Sequence, residues 1–242
     1  MKENMFGKFF SWIMAGVLFA GLSFAFISPA GAADKAEAQA IVDKAKGTLA
    51  DFMSDANYIW LHNQLKVAKG VIIFPQIVKG GFFIGGSGGT GVLLVRDART
   101  GNWTEPAFYT LGSVTFGLQI GGEAAEVMML AMNQKGIDSL LSSSVKLGGD
   151  VSIAAGPVGG GAKGGVAVPA VTADFVSFAK SKGLYAGLNL EGAVLAVRDG
   201  LNEPYYGKKV RPVDIIVKKD VSNPGANELR AALKKAAASK KY

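Results

Sequence analysis

Ser87 lies in Gly85-Gly86-Ser87-Gly88-Gly89, which satisfies the G-x-S-x-G pattern of a hydrolase nucleophile elbow. That chemistry needs a helix after the serine and a histidine downstream to take its proton. Here a strand-like run, Val92–Val95, follows, and the sole histidine, His62, lies upstream, so a Gly-rich hairpin explains the same residues. Gly86-x-Gly88-x-x-Gly91 and Gly159-x-Gly161-x-x-Gly164 match a dinucleotide fingerprint, but no helix follows to supply the positive end of its dipole to a pyrophosphate. Lys163 follows Ala162 and is not followed by Ser or Thr, which excludes a P-loop. With one His, no Cys and no Asp-x-Asp-x-Asp spacing, a metal site is not expected, and His62 is expected on a helix surface. The residues assign no catalytic role, no metal ligand, no cofactor and no small-molecule substrate, and an enzyme is not expected.

Charge is the remaining resource, and it is unevenly placed. Residues 33–204 hold 14 Lys/Arg against 15 Asp/Glu, whereas residues 205–242 hold 10 against 3. The formal net charge of +7 is thus a property of the C-terminal segment. No aromatic-basic interleaving accompanies it, so a nucleic-acid partner is not expected.

The elements that must position these charges follow from periodicity. Ile41, Ala45, Leu49 and Phe52 recur on one stripe and predict an amphipathic helix over 33–53, with Lys35, Lys44 and Lys46 off the stripe. Asp55 caps a shorter helix carrying Trp60, Leu61 and Leu65. From Gly70 to Asp199 short β-branched and aromatic runs alternate with Gly pairs, predicting strands at 71–74, 81–85, 92–95, 127–132 and 145–153 and a helix over 133–141. Gly81–Gly85 and Val92–Asp97 recur 102 residues later as Gly183–Gly187 and Val194–Asp199, each copy a hairpin ending in Arg-Asp. Trp60, Phe82 and Phe83 fit core positions better than a lipid pocket. Pro224, after Asn223, opens a last helix. The fold class expected is α+β, a Gly-rich antiparallel β sandwich or barrel with N-terminal and C-terminal helices packed on it.

The first residues read as a secretory leader. Lys2 and Lys8 precede the apolar run Phe9–Ile27, and Ser28-Pro29-Ala30-Gly31-Ala32 ends in Ala-x-Ala. Cleavage after Ala32 is expected, with the mature chain periplasmic or secreted, peripheral on a membrane at most. Without Cys it can carry neither disulfides nor a lipidated N-terminal Cys. The expected organisation is a signal peptide at 1–32, a domain at 33–217 (helices 33–68, mainly β 69–217) and a basic helical tail at 218–242.

Several stretches carry a resemblance. Ala68-Lys69-Gly70-Val71-Ile72-Ile73-Phe74-Pro75, Lys79-Gly80-Gly81-Phe82, Gly101-x-Trp103-x-x-Pro106-Ala107, Gly117-x-Gln119-Ile120-Gly121, Ala155-Gly156-Pro157-Val158-Gly159 and Lys180-Ser181-x-Gly183-Leu184-Tyr185-Ala186-Gly187 stand in family order with Asn202 and Tyr205-Tyr206. The chain resembles the SYLF domain family, a lipid-binding module also called the yeast-type actin-binding domain. The resemblance implies a non-catalytic domain contacting anionic lipid through its N-terminal helix and nearby basic residues. Here those are Lys35, Lys44, Lys46, Lys66, Lys69 and Lys79. An exported chain would meet an anionic envelope lipid instead of phosphoinositides or actin. The alternative is a structural protein that binds another envelope protein and no lipid.

Overall fold

The computed structural model describes residues 30–81, 84–116, 123–159, 172–181 and 190–239. The leader up to Pro29, Phe82, Phe83 and the Gly183–Gly187 copy of the repeat lie outside them. Helix α1 spans Ala30–Ser54 and buries Ala38, Val42, Ala45, Leu49 and Phe52, one stripe of a 3.6-residue period. Asp55 accepts a hydrogen bond from the Asn57 N–H and caps a short 3₁₀ turn into α2, Ile59–Leu65.

Among the described residues eight strands follow: β1 Gly70–Gly81, β2 Ile84–Val95, β3 Ala107–Phe116, β4 Glu123–Ala131, β5 Ser144–Lys146, β6 Ile153–Ala155, β7 Phe175–Ser181 and β8 Val194–Val197. They form one sheet in the order β5-β8-β3-β2-β1-β4-β7-β6, antiparallel except for the β6–β7 pair. The sheet curls into a half-barrel, and helices from both chain ends pack on it, giving the α+β class expected. Helix α3, Gln134–Ser139, is capped by Asn133. Helix α4, Asp199–Tyr206, and α5, Asn227–Ala238, complete the chain, with a π-helical turn at Val213–Lys218 between them.

Consecutive apolar residues in the central strands have a simple cause, since both faces of the sheet are covered. Val71, Ile73, Val92, Leu94, Phe108, Met128 and Phe178 point to the layer made by α1, α2, α4 and α5. Ile72, Phe74, Leu93, Tyr109, Val127 and Met129 point to the opposite layer, made by α3, Val145, Leu147, Val210 and Ile215. Each large side chain so buried contributes about 1.5 to 3 kcal/mol.

Strand β1 carries a bulge around Pro75-Gln76, where its register to both neighbours shifts. Proline has no N–H for the ladder, which suits it to that break. Facing it, a Cβ on Gly91 would stand 2.4 Å from the Ile73 oxygen, and one on Gly89 2.2 Å from the Gln76 oxygen. Only glycine lets the bulged backbone approach so closely.

Three details differ from the sequence expectation. The stretch 145–153 is two short strands, because Gly148 turns the chain at φ 77° and the Asp150 carboxylate accepts from the Lys146 N–H. The Arg-Asp ends of the two repeat copies, β2 and β8, are not set apart but flank β3 within one sheet, while the first copy does close a hairpin, β1–β2, with Gly81 opposite Gly85. His62 is 1% exposed, not on a helix surface; its Nε2 lies 2.8 Å from the Phe52 carbonyl, which fixes the α1–α2 corner. A ring with one polar end can be buried once that end is satisfied.

Candidate functional site

Where α2 ends and β1 begins, the chain builds a basic cleft. Lys66 caps α2, and the Val67 and Ala68 N–H groups fold back onto the Gln64 carbonyl. The Lys69 N–H donates to the Ala131 carbonyl at 2.9 Å, while its own carbonyl accepts from the Arg96 N–H at 2.7 Å. These bonds tie the turn to the ends of β4 and β2. The Arg96 guanidinium then donates from Nη1 to the Lys66 carbonyl at 2.5 Å. The result is a cavity of about 460 Å³ lined by Lys66, Val67, Lys69, Arg96, Asp97, Gly101 and Gln134. Val67 stands on its rim, 65% exposed.

Asp97 is the carboxylate in this cleft, and Lys219 pairs with it. That bond first, then the Thr100 and Arg99 N–H groups, hold its carboxyl well below the usual range. Its charge is thereby balanced, so Lys66, Lys69 and Arg96 set the sign of the potential. The sequence reading did not name Arg96 as a site residue, although it did single out the Arg-Asp end of β2.

The six lysines expected at the site do not form one cluster. Lys66 and Lys69 converge in the cleft. Lys35 and Lys44 are exposed on α1, and Lys46 pairs with Glu228 of α5, which raises the lysine pKa and lowers that of the glutamate. Lys79 sits ten residues on from Lys69, toward the far end of β1, a reach of at most about 33 Å. Lys44 borders another cavity of about 430 Å³, but Asp51 and Glu126 share it and would repel an anion. The apolar stripe of α1 is already occupied by the sheet, so this helix offers a partner only its polar side.

Part of the C-terminal positive charge is also engaged within the fold. Arg230 donates to the buried Glu105 at 2.7 Å and to the Trp103 carbonyl at 2.9 Å, and Lys234 donates to Asn102. Lys218 and Lys219 pair with Asp214 and Asp97.

Ser87, the elbow candidate, shares a 2.7 Å hydrogen bond with Ser113 inside the sheet. Among the described residues no group of three or more His, Cys, Asp or Glu is placed to hold a metal ion, and no helix is long and apolar enough to cross a membrane. Charge, N–H donors and an exposed apolar side chain are the equipment of a binding domain.

Residues 112–236 match the family described as Ysc84, Las17-binding protein actin regulator. The chain belongs to this family, in agreement with the SYLF resemblance. It is 30% identical over 162 residues to SH3 domain-containing YSC84-like protein 1 of Bos taurus, covering 66% of this chain and 46% of that protein. It is 31% identical over 150 residues to the protein of the same name in Homo sapiens, covering 62% of this chain and 43% of that one. With LAS seventeen-binding protein 3 of Saccharomyces cerevisiae it shares 34% identity over 146 residues, 59% of this chain and 31% of the relative. The chain thus spans less than half the length of these relatives. No solved structure matches it.

Proposed function

We propose that the protein is a non-catalytic binding domain that docks on an anionic lipid surface of the cell envelope through the Lys66–Lys69–Arg96 cleft, with Val67 entering the lipid interface. One observation carries this: an exposed apolar side chain, Val67, shares one cleft with three cations, and Asp97, the carboxylate among the described lining residues, is paired with Lys219. A cation near an anionic surface contributes about 1 kcal/mol, and the contribution fades beyond a Debye length of about 8 to 10 Å. Lys35 and Lys44 add a weaker, separate patch. The leader supports export. A second reading, a site for a partner protein, is favoured by the yeast relative, named for binding LAS seventeen.

Cosedimentation with phosphatidylglycerol vesicles at low salt tests the proposal. The wild-type chain should bind, and Lys66→Gln with Lys69→Gln should weaken binding about 30-fold, two charges at about 1 kcal/mol each. No wild-type binding, or a double variant that binds equally well, defeats it. N-terminal sequencing of the exported protein should begin at Ala33.

A further inference from the structure

Among the described residues, the face of the sheet that carries α1 is covered over only part of its extent. Register aligns Ala124, Val78, Gly88, Gly112, Val194 and Lys146 in one row across β4, β1, β2, β3, β8 and β5. Their strand neighbours Ile77, Leu111, Leu195 and Val145 point into the opposite core, so the row lies on the face that carries α1. Glu126, two residues from Ala124, is hydrogen-bonded there to Thr48 of α1. None of the six is buried, and Val78 and Val194 are 52% and 40% exposed. On the same face Ile73, Val92 and Phe108 are wholly buried. Val114, 68% exposed, widens the open apolar floor.

The middle of this row has no side chains. A Cβ on Gly112 would meet nothing within 4 Å, so the packing of the fold does not require glycine there. A glycine inside a strand weakens it, and one common reason for keeping it is the close approach of a ligand. At Gly88 and Gly112 the row offers backbone and no side chains to grip the aromatic or arginine anchors of a protein partner. A row of six positions is also far short of the roughly 20 to 30 residues that a stable protein interface uses on each side. It suits one thin, unbranched chain. From Val78 to Val194 is three strand spacings, about 14 Å. That matches one leaflet of a bilayer, half of the roughly 30 Å hydrocarbon core.

The charges fix its direction. Beyond Val194 the next strand presents the exposed Lys146, while the other end opens toward the cavity where Asp51 and Glu126 outnumber Lys44. We propose that this row is the bed of a long-chain fatty acid, its tail along Val78–Gly88–Gly112–Val194 and its carboxylate at Lys146. The site is separate from the Lys66 cleft and stands whether or not that cleft docks on membranes.

Calorimetric titration of the full chain with palmitate, kept below its aggregation concentration, tests this. Saturable one-to-one binding is expected, weakened at least about tenfold by Gly112→Leu and about threefold by Lys146→Gln. Gly112→Leu should melt with the wild type because its side chain enters open space; Val78→Asp, on an exposed position, provides a second block should it melt lower. Lys66→Gln with Lys69→Gln should leave palmitate binding unchanged. The proposal is overturned if palmitate does not bind saturably, if both row variants bind it as the wild type does, or if light scattering shows the row joining two copies.

Discussion

Replacing Arg230 by alanine probes how the last helix is held, because that side chain reaches a buried acid from α5. Glu105 is 8% exposed at its side chain, and burial pushes its carboxyl above the usual range despite the opposing pull of Arg230. Without the guanidinium, the carboxylate keeps only the Asn223 N–H, at 3.3 Å. Breaking a buried pair costs about 3 to 5 kcal/mol, and with Arg230 one-third exposed the lower figure, about 3, applies. In a chain of this size each kcal/mol moves the melting temperature by about 2 to 4 °C, so a fall of about 6 to 12 °C is expected at neutral pH. The sign of the pH effect follows from linkage. In the variant the folded pKa of Glu105 lies further above the unfolded value of 4.5, so the folded state binds the proton more tightly. Stability then declines as pH rises from that value, and the deficit should be larger at pH about 7.5 than at about 4.5. Adding Glu105→Gln should recover part of the loss. Thermal unfolding followed by circular dichroism at both pH values reads this. Equal deficits at the two pH values, or a double variant no better than the single one, would refute the account.

Gly91→Ala should destabilise by about 3 kcal/mol in urea, since its Cβ meets backbone oxygen and the Phe74 ring, whereas Gly112→Ala should shift stability by less than about 0.5. At Asp174 burial opposes the charge, but hydrogen bonds from Ser152, Asn133 and Lys135 outweigh it and lower the pKa from 3.8 to about 2. Stability of about 1 to 2 kcal/mol is thus present above pH about 4 and lost as pH falls toward 2; Asp174→Asn should flatten that limb of urea midpoints. Deleting residues 218–242 removes Leu229, Leu233 and Arg230 from the core, so loss of near-ultraviolet dichroism is expected, not a folded protein with reduced charge.

The strands were legible because consecutive apolar residues such as Val71–Phe74 and Val127–Ala131 cannot leave either face in water. The helix stripe at Ala45, Leu49 and Phe52 and the caps Asp55, Asn133 and Asn223 were equally plain, since each depends on neighbours within a few residues. What escaped the sequence depends on distant partners. Nothing local reveals that His62 turns inward to the Phe52 carbonyl, or that Arg96 folds back on Lys66. Composition placed a basic excess at the C-terminus, but only the fold shows Glu105 and Asp97 taking up part of it. The Gly floor is invisible in sequence because Gly88, Gly112 and Val194 are aligned by register alone.

The clasp between the first helix and the last has a consequence for the order of folding. Gln39 reaches the Gly225 carbonyl and Lys46 reaches Glu228, contacts spanning 186 and 182 residues of sequence, and the α1 stripe shares its core with Leu229 and Leu233. Contacts of such separation form late, because the entropy of closing the loop is met before they stabilise anything. An N-terminal helix emerging from the ribosome can rest on α2 and the first strands early, but the part of its apolar face that Leu229 and Leu233 cover stays open until nearly the whole chain has been made.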